Sequence, residues 1–199
     1  MGDGHNAGGN AYLCPLSIMD NRTLWNERYT KGLPSLEIPD PFFVSMYEEH
    51  IRREFLQGRH ALDLAAGTGR HTLLLADDDW QVSAVDISDV AIAQLKVATA
   101  GKRVVPVCSD LAAYSLPVAT FDLIVLYYHF DRSLFEGVVN ALKPGGLLIS
   151  KQAVGKPINP AALQEGELLQ LTRGLDTVFY AERPVKDRGV VEYLGRKRK

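Results

Sequence analysis

Residues 61–71 read Ala61-Leu62-Asp63-Leu64-Ala65-Ala66-Gly67-Thr68-Gly69-Arg70-His71, a short apolar strand that runs into a glycine turn and directly on into a helix. Glycines at 67 and 69 leave backbone amides bare, so a ligand can lie against the main chain itself. Asp63, just before the turn, sits where it can hold a cationic group. Downstream, Gln81-Val82-Ser83-Ala84-Val85-Asp86 makes a second strand that ends in a carboxylate, the group that binds a ribose diol in nucleotide folds. The pattern points to a ligand that contains a nucleoside.

Two nucleoside cofactors compete for this arrangement. A dinucleotide fingerprint asks for G-x-G-x-x-G, its third glycine bringing helix and strand close together. Here the third position is Thr72, and an acid before the turn is foreign to that fingerprint. This disfavours a nicotinamide-dependent oxidoreductase. S-adenosylmethionine fits better, because it has no pyrophosphate to cradle but carries an ammonium, a carboxylate and a sulfonium to be placed. Gly67 and Gly69 alone are equally explained by a tight turn. Asp63 and Asp86 at the ends of successive strands select the methyl donor.

Around this motif, strand and helix alternate. Strands are expected at 60–65, 81–86, 103–108, 121–128 and 147–151, with helices at 70–77, 89–100 and 133–142. Ser88 is placed to cap the second of these helices. After the third, Lys143-Pro144-Gly145-Gly146 stops the helix and turns the chain. Such alternation demands a mostly parallel sheet covered by helices on both faces, an α/β Rossmann-like fold. A helix is expected over 162–172. Segments 176–182 and 190–195 form an antiparallel hairpin at one edge of the sheet. Upstream, Trp25, Arg28 and Tyr29 fall at helical spacing, and the apolar stripe over 41–56 reads as a helix ended by Gly58. Residues 1–20 are expected as a flexible leader and 21–199 as one domain, with 21–58 as a helical lid segment.

Composition narrows the function. With 199 residues, 46% of them hydrophobic, and a formal charge of −2, the chain has a full core and no basic field for nucleic acid. The basic run Arg196-Lys197-Arg198-Lys199 reads as a solvated end. Two cysteines imply no disulfide framework, and Cys108 is expected as a small buried residue. Neither a membrane span nor a signal pattern is visible, so a cytoplasmic protein is expected.

The chain resembles the class I S-adenosylmethionine-dependent methyltransferases, and within them the small tellurite-resistance-type branch. The similarity runs over residues 21–199. It rests on Trp25-Asn26-Glu27-Arg28-Tyr29, Leu62–His71, Val85-Asp86-Ile87-Ser88, Asp110-Leu111, Phe121–Phe130, Leu142-Lys143-Pro144-Gly145-Gly146 and Gly166-Glu167-Leu168-Leu169. It implies a seven-stranded sheet whose C-terminal edge faces the cofactor. Asp63, Ala65, Gly67 and Gly69 would follow the methionine moiety, Ala65 standing where many relatives have glycine. Asp86 would take the ribose hydroxyls, Ile87 would pack on adenine, and Asp110 and Leu111 would contact its amino group and ring. Trp25, Arg28 and Tyr29 would belong to the lid, with Arg28 available to the methionine carboxylate.

Methyl transfer from a sulfonium is an in-line displacement, so alignment and exclusion of water carry most of the catalysis. The fourth strand ends in Tyr127-Tyr128-His129-Phe130, where acceptors sit in open α/β sheets. His129 is the candidate catalytic residue, as a base or an anion-holding donor, with a structural hydrogen bond as the competing role. Alternation turns one of Tyr127 and Tyr128 into the core, and Tyr127 is counted among the cofactor contacts. His71 is expected at the surface or as a cap. Arg132, Arg173 and Arg183 are candidate oxyanion partners. No metal site is expected. The expected partner is a small-molecule acceptor, a thiol or chalcogen oxyanion. A non-catalytic S-adenosylmethionine sensor uses the same two aspartates.

Overall fold

Apolar residues fill β4 (Phe121–Tyr127) apart from Asp122, and β1 (His60–Leu64) is buried at every position after His60, as strands covered on both faces require. In the computed structural model, which describes residues 20–32, 38–55, 59–155, 161–185 and 188–199, these two strands lie side by side at the centre of a seven-stranded sheet. Its other members are β2 (Gln81–Asp86), β3 (Val104–Cys108), β5 (Leu142–Val154), β6 (Leu175–Val185) and β7 (Arg188–Lys197). The order is β3-β2-β1-β4-β5-β7-β6. The first five strands are parallel, and β7 pairs antiparallel with both β5 and β6.

Helices cover both faces. On one, Phe135 and Val138 of α5 (Leu134–Ala141) pack on Leu62, Ile124 and Leu148. On the other, α2 (Pro41–Met46) and α3 (Arg70–Asp77) set Phe43 and Leu75 against Ala61, Val125 and Ile149. Between β2 and β3 runs α4 (Asp89–Ala98), its first turn capped by Ser88 as expected. The remaining helices are α1 (Asn21–Thr30) and α6 (Glu167–Leu171).

Several boundaries differ from those expected, each for a physical reason. The helix expected over 41–56 begins at Pro41 with Asp40 as its cap, then widens into a π-helical turn over Tyr47–Ile51. That turn carries Tyr47 beneath Trp80, whose indole N–H donates to the Tyr47 hydroxyl at 2.9 Å. Gly58, expected to end the helix, lies outside the described residues, as do residues 1–19 of the expected leader and residues 186–187. Within the sheet, β5 starts at Leu142 rather than 147. Leu142 pairs with Phe121 and Leu147 with Leu123, so the Pro-Gly-Gly segment bulges out of a continuous strand. Of the helix expected over 162–172, only Glu167–Leu171 is helical. Arg132 holds the preceding turn through the carbonyls of Ala161 and Ala162.

Cys108 is exposed, not buried, because β3 is the sheet's outer strand. His71 is buried, not at the surface. The basic tail is tied down: Arg196 pairs with Glu54, Lys197 donates to the Val139 carbonyl, and Arg198 pairs with Asp176. No described helix is long and apolar enough to cross a membrane.

Candidate functional site

At the C-terminal tip of β1 the chain passes through three left-handed residues, Ala65 at φ 56°, Gly67 at 58° and Gly69 at 91°. Ala65 holds a conformation that costs an ordinary residue roughly 1–2 kcal/mol. Tyr128, beyond the tip of the neighbouring β4, does the same at φ 55°. Strained backbone at two adjacent strand tips marks the crevice between them. The two glycines differ in use. A Cβ on Gly67 would meet the Tyr29 hydroxyl, whereas one on Gly69 would collide with Leu95 of α4. Gly67 therefore opens the turn towards the crevice, and Gly69 lets α3 and α4 approach.

The carboxylates stand on either side of this turn. Asp86, ending β2, accepts from Gly67 N–H at 2.8 Å through one oxygen and from Ser88 N–H at 2.8 Å through the other. Asp63 is 2% exposed and takes a single side-chain hydrogen bond, from the Thr72 hydroxyl at 2.7 Å. Burial pushes its pKa up to about 7, against the pull of Thr72 and Arg70. A buried carboxylate so poorly compensated favours an incoming cation.

Arg70 follows the turn and reaches across the Tyr127 ring at 5.9 Å. Below it, His71 lies between Phe43 and Tyr127, with ring centroids at 4.5 and 4.4 Å. Burial, with Arg70 and Lys151 nearby, pushes His71 down to about 3, and its neutral ring accepts from Asp40 N–H at 3.3 Å. Tyr127 is 7% exposed, and its hydroxyl has no partner among the described residues.

Over the turn sits α1. It buries no residue fully and is held by polar contacts. Asn26 accepts from the Ser88 hydroxyl at 2.6 Å and donates to Asp89 at 2.6 Å, joining α1 to the cap of α4. Trp25 stacks on Tyr29 at 5.8 Å, and Arg28 lies over Trp25 at 4.9 Å. Burial, then Asp86, raises the Tyr29 pKa, so its hydroxyl stays protonated above the turn.

The far wall comes from the loops after β3 and β4. Leu111 is buried, Asp110 is exposed, and His129 is part-buried among Asp131, Asp110 and Asp86. Burial lowers the His129 pKa despite these three acids. Arg132 is not available to this wall, since both oxygens of Glu167 hold it, at 2.6 and 2.9 Å. Arg183 is likewise paired with Glu192.

These elements enclose a cavity of about 290 Å³. Trp25, Tyr29, Asp63, Ala65 and Gly67 line it, as do Asp86, Ile87, Asp110, Leu111, Tyr127 and His129. Of the residues expected at the site, Gly69 lies behind the turn and Arg28 lies outside, on Trp25. Asn21, Thr68, Arg70, His71 and Tyr128 also line the cavity; the sequence had set Tyr128 in the acceptor segment and His71 at the surface or as a cap, and had given the other three no role. For His71 the signal was present, because His71, Thr72 and Leu75 share the buried face of α3. Arg70 adjoins the second glycine, at the first turn of the helix. Nothing in the local sequence marks Asn21 or Thr68. Among the described residues, no group of three or more His, Cys, Asp or Glu is arranged to hold a metal ion.

Residues 61–146 match a family described as a methyltransferase domain. No curated protein matches the sequence. Solved structures with a similar fold include TehB from Haemophilus influenzae, 18% identical with a TM-score of 0.67 over 87% of this chain and 67% of that one. The N-methyltransferase NodS from Bradyrhizobium japonicum, solved with S-adenosyl-L-homocysteine, is 18% identical with a TM-score of 0.64 over 88% of this chain and 99% of that one. The [4+2]-cyclase SpnF is 18% identical with a TM-score of 0.65 over 78% and 79%. At such identities the likeness speaks for the fold. Strand order and the antiparallel C-terminal hairpin are those of the class I methyltransferase fold, and the segment 61–146 within it matches a methyltransferase domain.

Proposed function

We propose that the chain binds S-adenosylmethionine in this cavity and moves its methyl group to a small-molecule acceptor by in-line displacement. One observation carries the reading: two carboxylates at the tips of adjacent strands flank a bare left-handed turn beneath an aromatic lid. The cavity volume of about 290 Å³ is near the lower end of the range for small-molecule sites, about 300–1,000 Å³.

The residues fit the donor group by group. Asp63, buried and short of partners, suits the methionine ammonium. Arg70 suits the carboxylate better than Arg28 does, since it lines the cavity and has no ion pair among the described residues. The Tyr127 ring, over which Arg70 lies, forms the wall there. Asp86 keeps lone pairs for the ribose hydroxyls, while Ile87, Asp110 and Leu111 serve the adenine. The bound donor supplies the activated methyl group and its own leaving group. The chain's part is to align, to exclude water with α1, and to receive a proton at His129 where the acceptor must lose one. Residues 21–199 act here as one unit, with α1 as its lid.

Calorimetry with S-adenosylmethionine and S-adenosylhomocysteine tests the binding, and release of S-adenosylhomocysteine with an acceptor panel tests the transfer. Binding of both ligands with acceptor-dependent release is expected. Absence of binding removes the reading. Binding with no release under any acceptor favours the sensor.

A further inference from the structure

The charges around the cavity do not balance. Asp63, Asp86 and Asp110 line it against one cation, Arg70, and Asp131 lies within electrostatic reach of His129. Of the neighbouring cations, Arg28 lies outside the cavity on the Trp25 ring, and two others are held by carboxylates. Arg132 is clasped by Glu167, and Lys151 lies between Asp40 and Glu192 at 2.9 Å from each. Aromatic side chains make up much of the wall. Carboxylates behind ring faces attract positive charge and resist an anion.

Tyr128 and His129 form the acceptor side, at the tip of β4. Tyr128 is half exposed, and its left-handed backbone is fixed by its N–H donating to the Lys151 carbonyl at 2.8 Å. Its ring stands edge-on to Tyr127 at 6.4 Å, leaving a π face for a ligand. No hydrogen bond within the described residues ties up the His129 imidazole. Asp131, Asp110 and Asp86 each favour an imidazolium there, against the burial that disfavours it.

Resting on the methyl-donor reading, we propose that the acceptor is an amine that arrives as its ammonium, seated against Tyr128, with His129 taking its proton. The ammonium N–H proton passes to the imidazole, freeing the nitrogen lone pair. That pair forms the new bond to the methyl carbon as the carbon–sulfur bond breaks, its electrons returning to sulfur. The products are S-adenosylhomocysteine and the N-methylated ammonium, and the His129 proton leaves to solvent. A thiolate or a chalcogen oxyanion would have to enter against the same field.

The test uses the full chain loaded with S-adenosylhomocysteine and three probes on one skeleton: phenethylamine, 2-phenylethanethiol and 3-phenylpropionate. Phenethylamine is expected to bind about tenfold more tightly than 3-phenylpropionate, with the gap narrowing in high salt. With S-adenosylmethionine, the amine is expected to release S-adenosylhomocysteine faster than the thiol, selenite or tellurite does. His129→Gln is expected to lower kcat about a hundredfold near neutrality, recovering as the pH nears the amine's own pKa. Preference for the carboxylate, the thiol or the oxyanions, or failure of every probe to bind, overturns the amine acceptor while leaving the methyl-donor reading intact. An equal loss in His129→Gln at every pH overturns the role of His129. If S-adenosylhomocysteine itself does not bind, both readings fall together.

Discussion

The backbone N–H of Gly67 donates to Asp86 at 2.8 Å, so the tip of β2 clasps the turn that follows β1. The same carboxylate holds Ser88 N–H, which fixes the start of α4. Asp86 is thus both a fastener of the turn and the proposed ribose acceptor. Asp86→Ala removes both, and S-adenosylmethionine affinity should fall by about 1–3 kcal/mol, as for the loss of hydrogen bonds to a charged acceptor. Calorimetry reads this directly; unchanged affinity would take Asp86 out of the site.

Helix α1, the proposed lid, is held by Asn26 rather than by an apolar face, since it buries no residue fully. Asn26→Ala deletes its contacts to Ser88 and Asp89. Each is worth about 0.5–1.5 kcal/mol. Donor dissociation should accelerate in proportion, with little change in thermal stability. Stopped-flow displacement of bound S-adenosylhomocysteine measures the rate, and an unaltered rate would tell against α1 as a lid.

Asp63 and His71 give opposite pH dependences. Asp63, ordinarily near 3.8, holds its proton up to about 7 when folded, so its contribution to stability declines as pH rises between those values. His71, ordinarily near 6.5, stays neutral down to about 3, so its contribution is lost as pH falls across that span. A bound ammonium favours ionised Asp63. Donor affinity should therefore climb with pH to about 7 and then level off. Binding at pH 6 should release protons, seen as an enthalpy that varies with the buffer, and Asp63→Asn should abolish the release.

Lys151 is the cation between Asp40 and Glu192, both nearly enclosed. Lys151→Met leaves Asp40 without its ion pair and Glu192 with Arg183 alone. Breaking a buried pair from one side costs about 3–5 kcal/mol, which urea denaturation should register. Adding Asp40→Asn and Glu192→Gln should recover much of that loss. A single variant as stable as the parent would show that the cluster contributes little.

Local pattern made the parallel strands legible. Uninterrupted apolar runs such as Leu123–Leu126 have few alternatives to a strand buried on both faces, and the glycine turn after β1 announces itself by composition. The C-terminal hairpin was legible as a pair, but not its order. β7 lies inside β6 because Val191, Tyr193 and Leu194 are buried on both faces, whereas much of β6 is exposed. Arg132 could be named from sequence, but its removal from the site depends on Glu167, thirty-five residues away.

By itself, the sequence determined the alternation of strand and helix, the placing of Asp63 and Asp86 at strand tips, and the bare turn between them. These are consequences of short-range sterics and of a two-residue repeat along each strand. Only the tertiary structure decided which charges remain free. Arg70 is left in the cavity, Arg132 and Lys151 are neutralised, and His71 is packed between aromatic rings, because electrostatic pairing and burial are settled by neighbours distant along the chain.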